Sequence, residues 1–107
     1  MINKSKNKEK MPIASAEIRI KNFEEVELGY SEESAISEAS RCLGCKNKPC
    51  VSGCPVNVKI PDFIKNIREK NFSKSYEIIC EDNSFPAICG RVCPQEKQCE
   101  KKCIRGK

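Results

Sequence analysis

The chain has 107 residues, 33% charged and 38% hydrophobic, which is one small domain with limited capacity to bury an apolar core. Its formal charge of +5 comes without an aromatic platform for nucleic-acid binding, since aromatics make up only 6%. No apolar run is long enough to cross a membrane. The polar start MINKSKNKEK is no signal peptide, and nine cysteines without a histidine fit metal in a reducing cytoplasm better than an even-numbered disulfide framework.

Residues 1–16, rich in Lys and Asn, read as a flexible lead, and residues 17–107 as the domain itself. The stretch EIRIKNFEEVELGY (17–30) lacks a helical period and breaks at Gly29, so extended or irregular chain is expected. A short helix is predicted over 32–42. Ser31 caps it, Glu32 and Glu33 favour its positive end, and Ala35, Ile36, Ala39 and Cys42 share one face. Gly44, Pro49, Gly53 and Pro55 punctuate the following loop, whose turns can aim backbone amides at sulfur. Pro61 opens a helix over 61–70 with Phe63, Ile64 and Ile67 on the buried face. The next helix, 74–81, takes Ser73 as its cap and is expected to turn Tyr76, Ile79 and Cys80 inward. Pro86 starts a further short helix carrying Ile88, Cys89, Val92 and Cys93, which Pro94 ends. A last turn within 95–105 is expected to set Cys99 and Cys103 on one side. No stretch alternates as a strand does, so the expected fold class is all-α.

Eight cysteines form two groups: Cys42, Cys45, Cys50 and Cys54 in RCLGCKNKPCVSGCP, and Cys89, Cys93, Cys99 and Cys103 in CGRVCPQEKQCEKKC. The spacings are C-x2-C-x4-C-x3-C-P and C-x3-C-P-x5-C-x3-C. Cysteines three apart reach adjacent irons of one cluster. A cysteine followed by proline resembles two-cluster ferredoxins, where that cysteine ligates the other cluster. On that logic Cys42, Cys45 and Cys50 serve one [4Fe–4S] cluster and Cys54 crosses to a second. The second group then supplies the fourth ligand of the first cluster and the rest of the second. Two such centres, at −2 each, would bring the domain from +5 to about +1, so the basic excess partly balances the clusters. The alternative is structural zinc stabilising a protein-interaction module. Zinc sites favour paired C-x2-C knuckles, and only one C-x2-C occurs here.

Cys80, outside both groups, reads as a small buried hydrophobe. Gly90 is expected to permit close approach to a cluster or helix. Lys97, Lys101, Lys102 and Arg105 read as a solvated charged face. Nothing catalytic is present: there is no histidine for acid–base work and no glycine-rich nucleotide fingerprint. The expected role is carriage of electrons, with the chemistry located elsewhere.

The residues CLGCKNKPCVSGCPVNVKIPDFI followed by ICGRVCPQEKQCEKKCIRGK resemble the N-terminal iron–sulfur domain of NADPH-dependent glutamate synthase small (beta) subunits. The domain is shared with dihydropyrimidine dehydrogenase and with the transhydrogenase subunit of NADH-dependent ferredoxin:NADP oxidoreductases. The resemblance runs from about Ile20 to Lys107. It implies an alpha-helical ferredoxin fold around two [4Fe–4S] clusters, lying ahead of FAD and NADPH domains in a longer flavoprotein. Electrons would then reach a partner flavin subunit, such as the glutamate synthase large (alpha) subunit. The resemblance further implies Cys42, Cys45, Cys50 and Cys103 on one cluster, and Cys54, Cys93 and Cys99 on the other. The fourth ligand of that second cluster is, in the family, a Glu or Gln beyond the position of Lys107. The second cluster is therefore expected to be incomplete here unless Cys89 substitutes, and the isolated chain is not expected to be catalytic.

Overall fold

Seven short α-helices and two 3₁₀ turns build the computed structural model, which describes residues 2–106. Among the described residues the sole β-type pairing is an isolated antiparallel bridge between Ile13 and Glu27. The all-α expectation holds.

The helices start where their residues say they should. Helix α1 (Ala16–Arg19) is a single turn at the tip of a loose ribbon. Two 2.8 Å bonds close that ribbon, from Ala14 N–H to the Val26 carbonyl and from Leu28 N–H to that of Pro12. Helix α2 (Glu32–Ala39) begins at Ser31, whose hydroxyl accepts from Ser34 N–H. Its regular turns stop at Ala39, three residues before Cys42. Helix α3 (Pro49–Gly53) lies where a loop was expected. Lys48, in the left-handed region at φ 43°, turns the chain so that Pro49 can open it. Helices α4 (Ile60–Arg68), α5 (Phe72–Asp82) and α6 (Pro86–Val92) follow, two of them with proline in the first turn. The last, α7 (Cys99–Lys102), lies between 3₁₀ turns at Gln95–Lys97 and Ile104–Gly106.

Helix α4 packs against both α2 and α5. The inward face of α5 differs from expectation. Ser75 and Ile78 are buried, Ile79 is half-buried, and Tyr76 and Cys80 are exposed. Ser75 Oγ donates to the Phe63 carbonyl at 2.9 Å, and that bond turns the helix about its axis. The cap is Asn71, which accepts from Lys74 N–H, rather than Ser73.

The apolar core is small: Ala39, Val58 and Ile78 are its buried hydrophobic side chains. A polar tie supplements it. Arg41 is 5% exposed. It donates to Glu38 Oε1 at 2.7 Å and to the carbonyls of Ser5, Lys6 and Arg105 at 3.2–3.3 Å. The lead segment thus lies along α2, where Asn3 N–H also donates to the Ser40 carbonyl at 2.8 Å. Tyr30 adds a hydroxyl bond to the Glu9 carbonyl. Replacing Arg41 by Met keeps the aliphatic stem but leaves these acceptors without their donor. The expected loss is about 2–4 kcal/mol of stability, read from the urea midpoint. No described helix is long and apolar enough to cross a membrane.

Candidate metal centre

Two helices of one turn each organise the thiols. Cys50 lies on α3 and Cys54 just beyond it, four residues on. Cys99 and Cys103 repeat that spacing across α7. The two helices pack very closely, because Gly53 lies against the α7 entrance. A Cβ there would come within 2.6 Å of the Gln98 carbonyl oxygen and 3.0 Å of Cys99 Cα. Cys50 and Cys103 line one cavity while Gly53, at the other end of α3, lies against Gln98 and Cys99, so the two helices run in opposite senses. One crossing therefore brings cysteines from both halves of the sequence together at each of its ends.

At the first site, Cys42, Cys45, Cys50 and Cys103 line a single cavity of about 30 Å³ with Leu43 and Arg105. Cys42 is held from α4, where Arg68 Nη2 donates to the Cys42 carbonyl at 2.9 Å and to that of Ala39 at 3.4 Å. Gly44, with φ at 62°, makes the turn between Cys42 and Cys45. On the far side, a larger cavity of about 330 Å³ separates the thiols from α4. Ile60, Phe63, Ile64 and Ile67 face it, as do Cys42, Cys50, Cys99 and Cys103. The apolar face expected of α4 is therefore turned toward the cysteines.

At the second site, Cys54 is near enough to influence both Cys93 and Cys99. Cys89 lies one helical turn before Cys93 and interacts with its thiol. Its own Sγ is 3.8 Å from Asn83 Oδ1. That oxygen also accepts from Phe85 N–H at 2.9 Å, which fixes it as an acceptor. All eight grouped cysteines are half-buried; the exposed ninth, Cys80, belongs to neither site. Gly90 does not serve close approach to a helix, since a Cβ there meets no protein atom within 4 Å. The glycine that does is Gly53.

Burial raises the Cys50 thiol above its ordinary range, with Cys103 adding to the effect. Burial likewise raises Cys99, and desolvation followed by Cys89 raises Cys93.

The donor set suits an iron–sulfur group. It is all sulfur, and the sulfurs surround space. A lone zinc ion would draw its ligands to about 2.3 Å from one point. The wall of the first cavity also carries Arg105, expected on a solvated face but half-buried, with Nε buried and lacking a partner among the described residues. An unpaired cationic donor fits an anionic, sulfur-rich occupant. The sequence offered only position and charge for Arg105, which made it indistinguishable from the neighbouring lysines.

Comparison with known proteins agrees with this donor set. Over 86 residues the chain is 40% identical to the glutamate synthase [NADPH] small chain of Azospirillum brasilense, covering 80% of this chain and 18% of that one. It is 43% identical over 83 residues to the NAD-dependent dihydropyrimidine dehydrogenase subunit PreT of Salmonella typhimurium, covering 78% and 20%. The glutamate synthase [NADPH] small chain of Escherichia coli is 38% identical over 92 residues, covering 86% and 20%. The chain spans about a fifth of the length of these curated relatives. Residues 19–107 match the family profile described as dihydropyrimidine dehydrogenase domain II, 4Fe-4S cluster, and with its eight grouped thiols the chain belongs to that iron–sulfur family.

Proposed function

We propose that the chain is a two-cluster electron-transfer domain of an NADPH-dependent oxidoreductase of the glutamate synthase small-subunit kind. Residues 17–107 form the cluster-bearing domain and residues 1–16 a lead. Cys42, Cys45, Cys50 and Cys103 hold one [4Fe–4S] cluster (site one). Cys54, Cys93 and Cys99 supply three corners of the other (site two), with Cys89 beside them. The observation that carries this reading is the meeting of Cys103 with Cys42, Cys45 and Cys50 on one cavity wall.

When bound, such clusters supply one-electron redox chemistry. The chain's own residues hold the sulfurs, and the α4 side chains Phe63, Ile64 and Ile67 exclude water behind them. Both sites share the α3–α7 crossing, which keeps them close for electron passage. On this reading the electrons come from NADPH through FAD, both carried by further domains. They leave to a flavin subunit such as a glutamate synthase large (alpha) subunit, in the cytoplasm.

The 43% identity to PreT favours a second reading, the equivalent domain of a related NAD(P)H flavin oxidoreductase. Turnover by the full-length protein with glutamine plus 2-oxoglutarate, against turnover with a pyrimidine, separates the two.

The direct test is iron and acid-labile sulfide content after anaerobic purification, with EPR of the reduced protein. About eight of each per chain, with two interacting signals, is expected if Cys89 completes site two, and about four if that site needs a ligand from outside these residues. Colourless protein holding stoichiometric zinc after anaerobic reconstitution with iron and sulfide would sink the proposal.

A further inference from the structure

One half-buried charged side chain at site one, with its Nε buried, is left over once the cysteines are assigned. Arg105 lies on the wall shared with Cys42, Cys45, Cys50 and Cys103, and it also lines the larger cavity behind them. Its Nη2 donates to the carbonyls of Asn3 at 3.0 Å and Ser5 at 2.7 Å. Its own carbonyl accepts from Arg41 Nη2 at 3.2 Å. Side chain and backbone are thus fixed from two directions, both leading back to the lead segment. Yet its Nε is buried with no hydrogen-bond partner among the described residues. A buried donor is costly to leave unmade, and a guanidinium stays charged at any working pH. The other guanidine nitrogen in this condition, Arg68 Nε, belongs to a side chain that lines neither cavity. Among the described residues, only Arg105 combines an orphaned donor with a place among the thiols.

We propose that Arg105 is a positioning residue that sets the charge balance of site one. Its Nε–H donates to a thiolate or sulfide of the group held by Cys42, Cys45, Cys50 and Cys103, and its fixed positive charge favours the reduced form. This rests on the two-cluster reading above. Reduction adds one electron and one negative charge, with no bond broken and no proton required. A cation clamped at the cavity wall stabilises that added charge, and hydrogen bonds to cluster sulfur move the potential in the same direction. The lead acquires a role as well, because the carbonyls of Asn3 and Ser5 keep the guanidinium from swinging out to water.

The test is a redox titration followed by EPR, on the anaerobically purified 107-residue chain and its Arg105→Gln and Arg105→Lys variants. The dithionite-reducible signal that disappears in Cys50→Ala identifies site one. Arg105→Gln is expected to keep the parent's iron and sulfide and to lose at least tenfold in the reduction equilibrium, a fall of about 59 mV for a one-electron couple. Arg105→Lys, with charge but without Nε–H, is expected to fall between the two. An unchanged potential in Arg105→Gln at unchanged iron content overturns the proposal. So does loss of iron in both variants, which would make Arg105 a prop for the fold. A parent chain without reducible iron removes the two-cluster reading itself, a failure distinct from either.

Discussion

Replacing Cys50 by Ala is expected to remove about four irons and four sulfides per chain, with the EPR signal of site one lost. The reason is positional. Cys50 is one of four thiols around the first cavity and the one that meets Cys103 across the helix crossing. Its loss leaves three sulfurs and an opening toward the larger cavity. Cys80→Ala is the matched control, since Cys80 is exposed on α5 and touches neither site; it should retain the full complement. Iron analysis alone decides the matter. Full iron in Cys50→Ala, or loss of iron in Cys80→Ala, would mean that the thiols are grouped wrongly.

Gly53→Ala is expected to damage both sites together. The new methyl would lie 2.6 Å from the Gln98 carbonyl oxygen and 3.0 Å from Cys99 Cα. Both are backbone atoms that cannot rotate away. Relief requires α3 and α7 to separate, and that crossing contributes sulfurs to each site. Overpacking of this kind costs about 1–3 kcal/mol. Here the loss of geometry should add a failure to retain iron at either site, seen as bleaching of the visible absorption together with a lower thermal midpoint. Gly90→Ala is the informative contrast. It lies within α6 with open space around its Cβ position, so helix propensity predicts a gain of about 0.5–1 kcal/mol. If both glycine variants behave alike, the close packing of α3 on α7 is not what holds the sites.

Local signals made part of this structure legible in advance. Ser31, Pro61 and Pro86 announced α2, α4 and α6 because caps and first-turn prolines act through a few neighbouring atoms. The α4 face was also readable, since Ile64 and Ile67 sit at helical spacing beside Phe63. Helix α3 was not. PCVSG combines a proline, a glycine and a β-branched valine, and its helical form depends on packing against α7 rather than on propensity. The inward face of α5 was misread because its anchor is Ser75, a polar residue that pattern reasoning places outside. The course of the lead left no pattern at all, because Arg41 and Arg105 grip its backbone carbonyls, which every sequence possesses. Arg105 itself looked like surface charge until the chain folded back. The cysteine spacing pointed to paired clusters. The grouping of Cys103 with Cys50 and of Cys54 with Cys99 came from the family resemblance; the antiparallel packing of α3 on α7 that brings them together was not legible, because neither short helix announces itself in the sequence.

That crossing also sets a timetable. Chains leave the ribosome amino-terminus first, at about 5–20 residues per second. Cys42, Cys45 and Cys50 therefore emerge as an open three-sulfur corner while α7 is still unmade. Site two has only Cys54 from the same half. On the proposed ligand grouping, neither centre can close until the second cysteine group has been synthesised and has turned back onto α3. Cluster delivery on that grouping would be a late event in the life of the nascent chain, and the first half would spend seconds with reduced, unoccupied thiols. An interruption of synthesis before Cys103 would yield a protein able to begin site one but never to finish it.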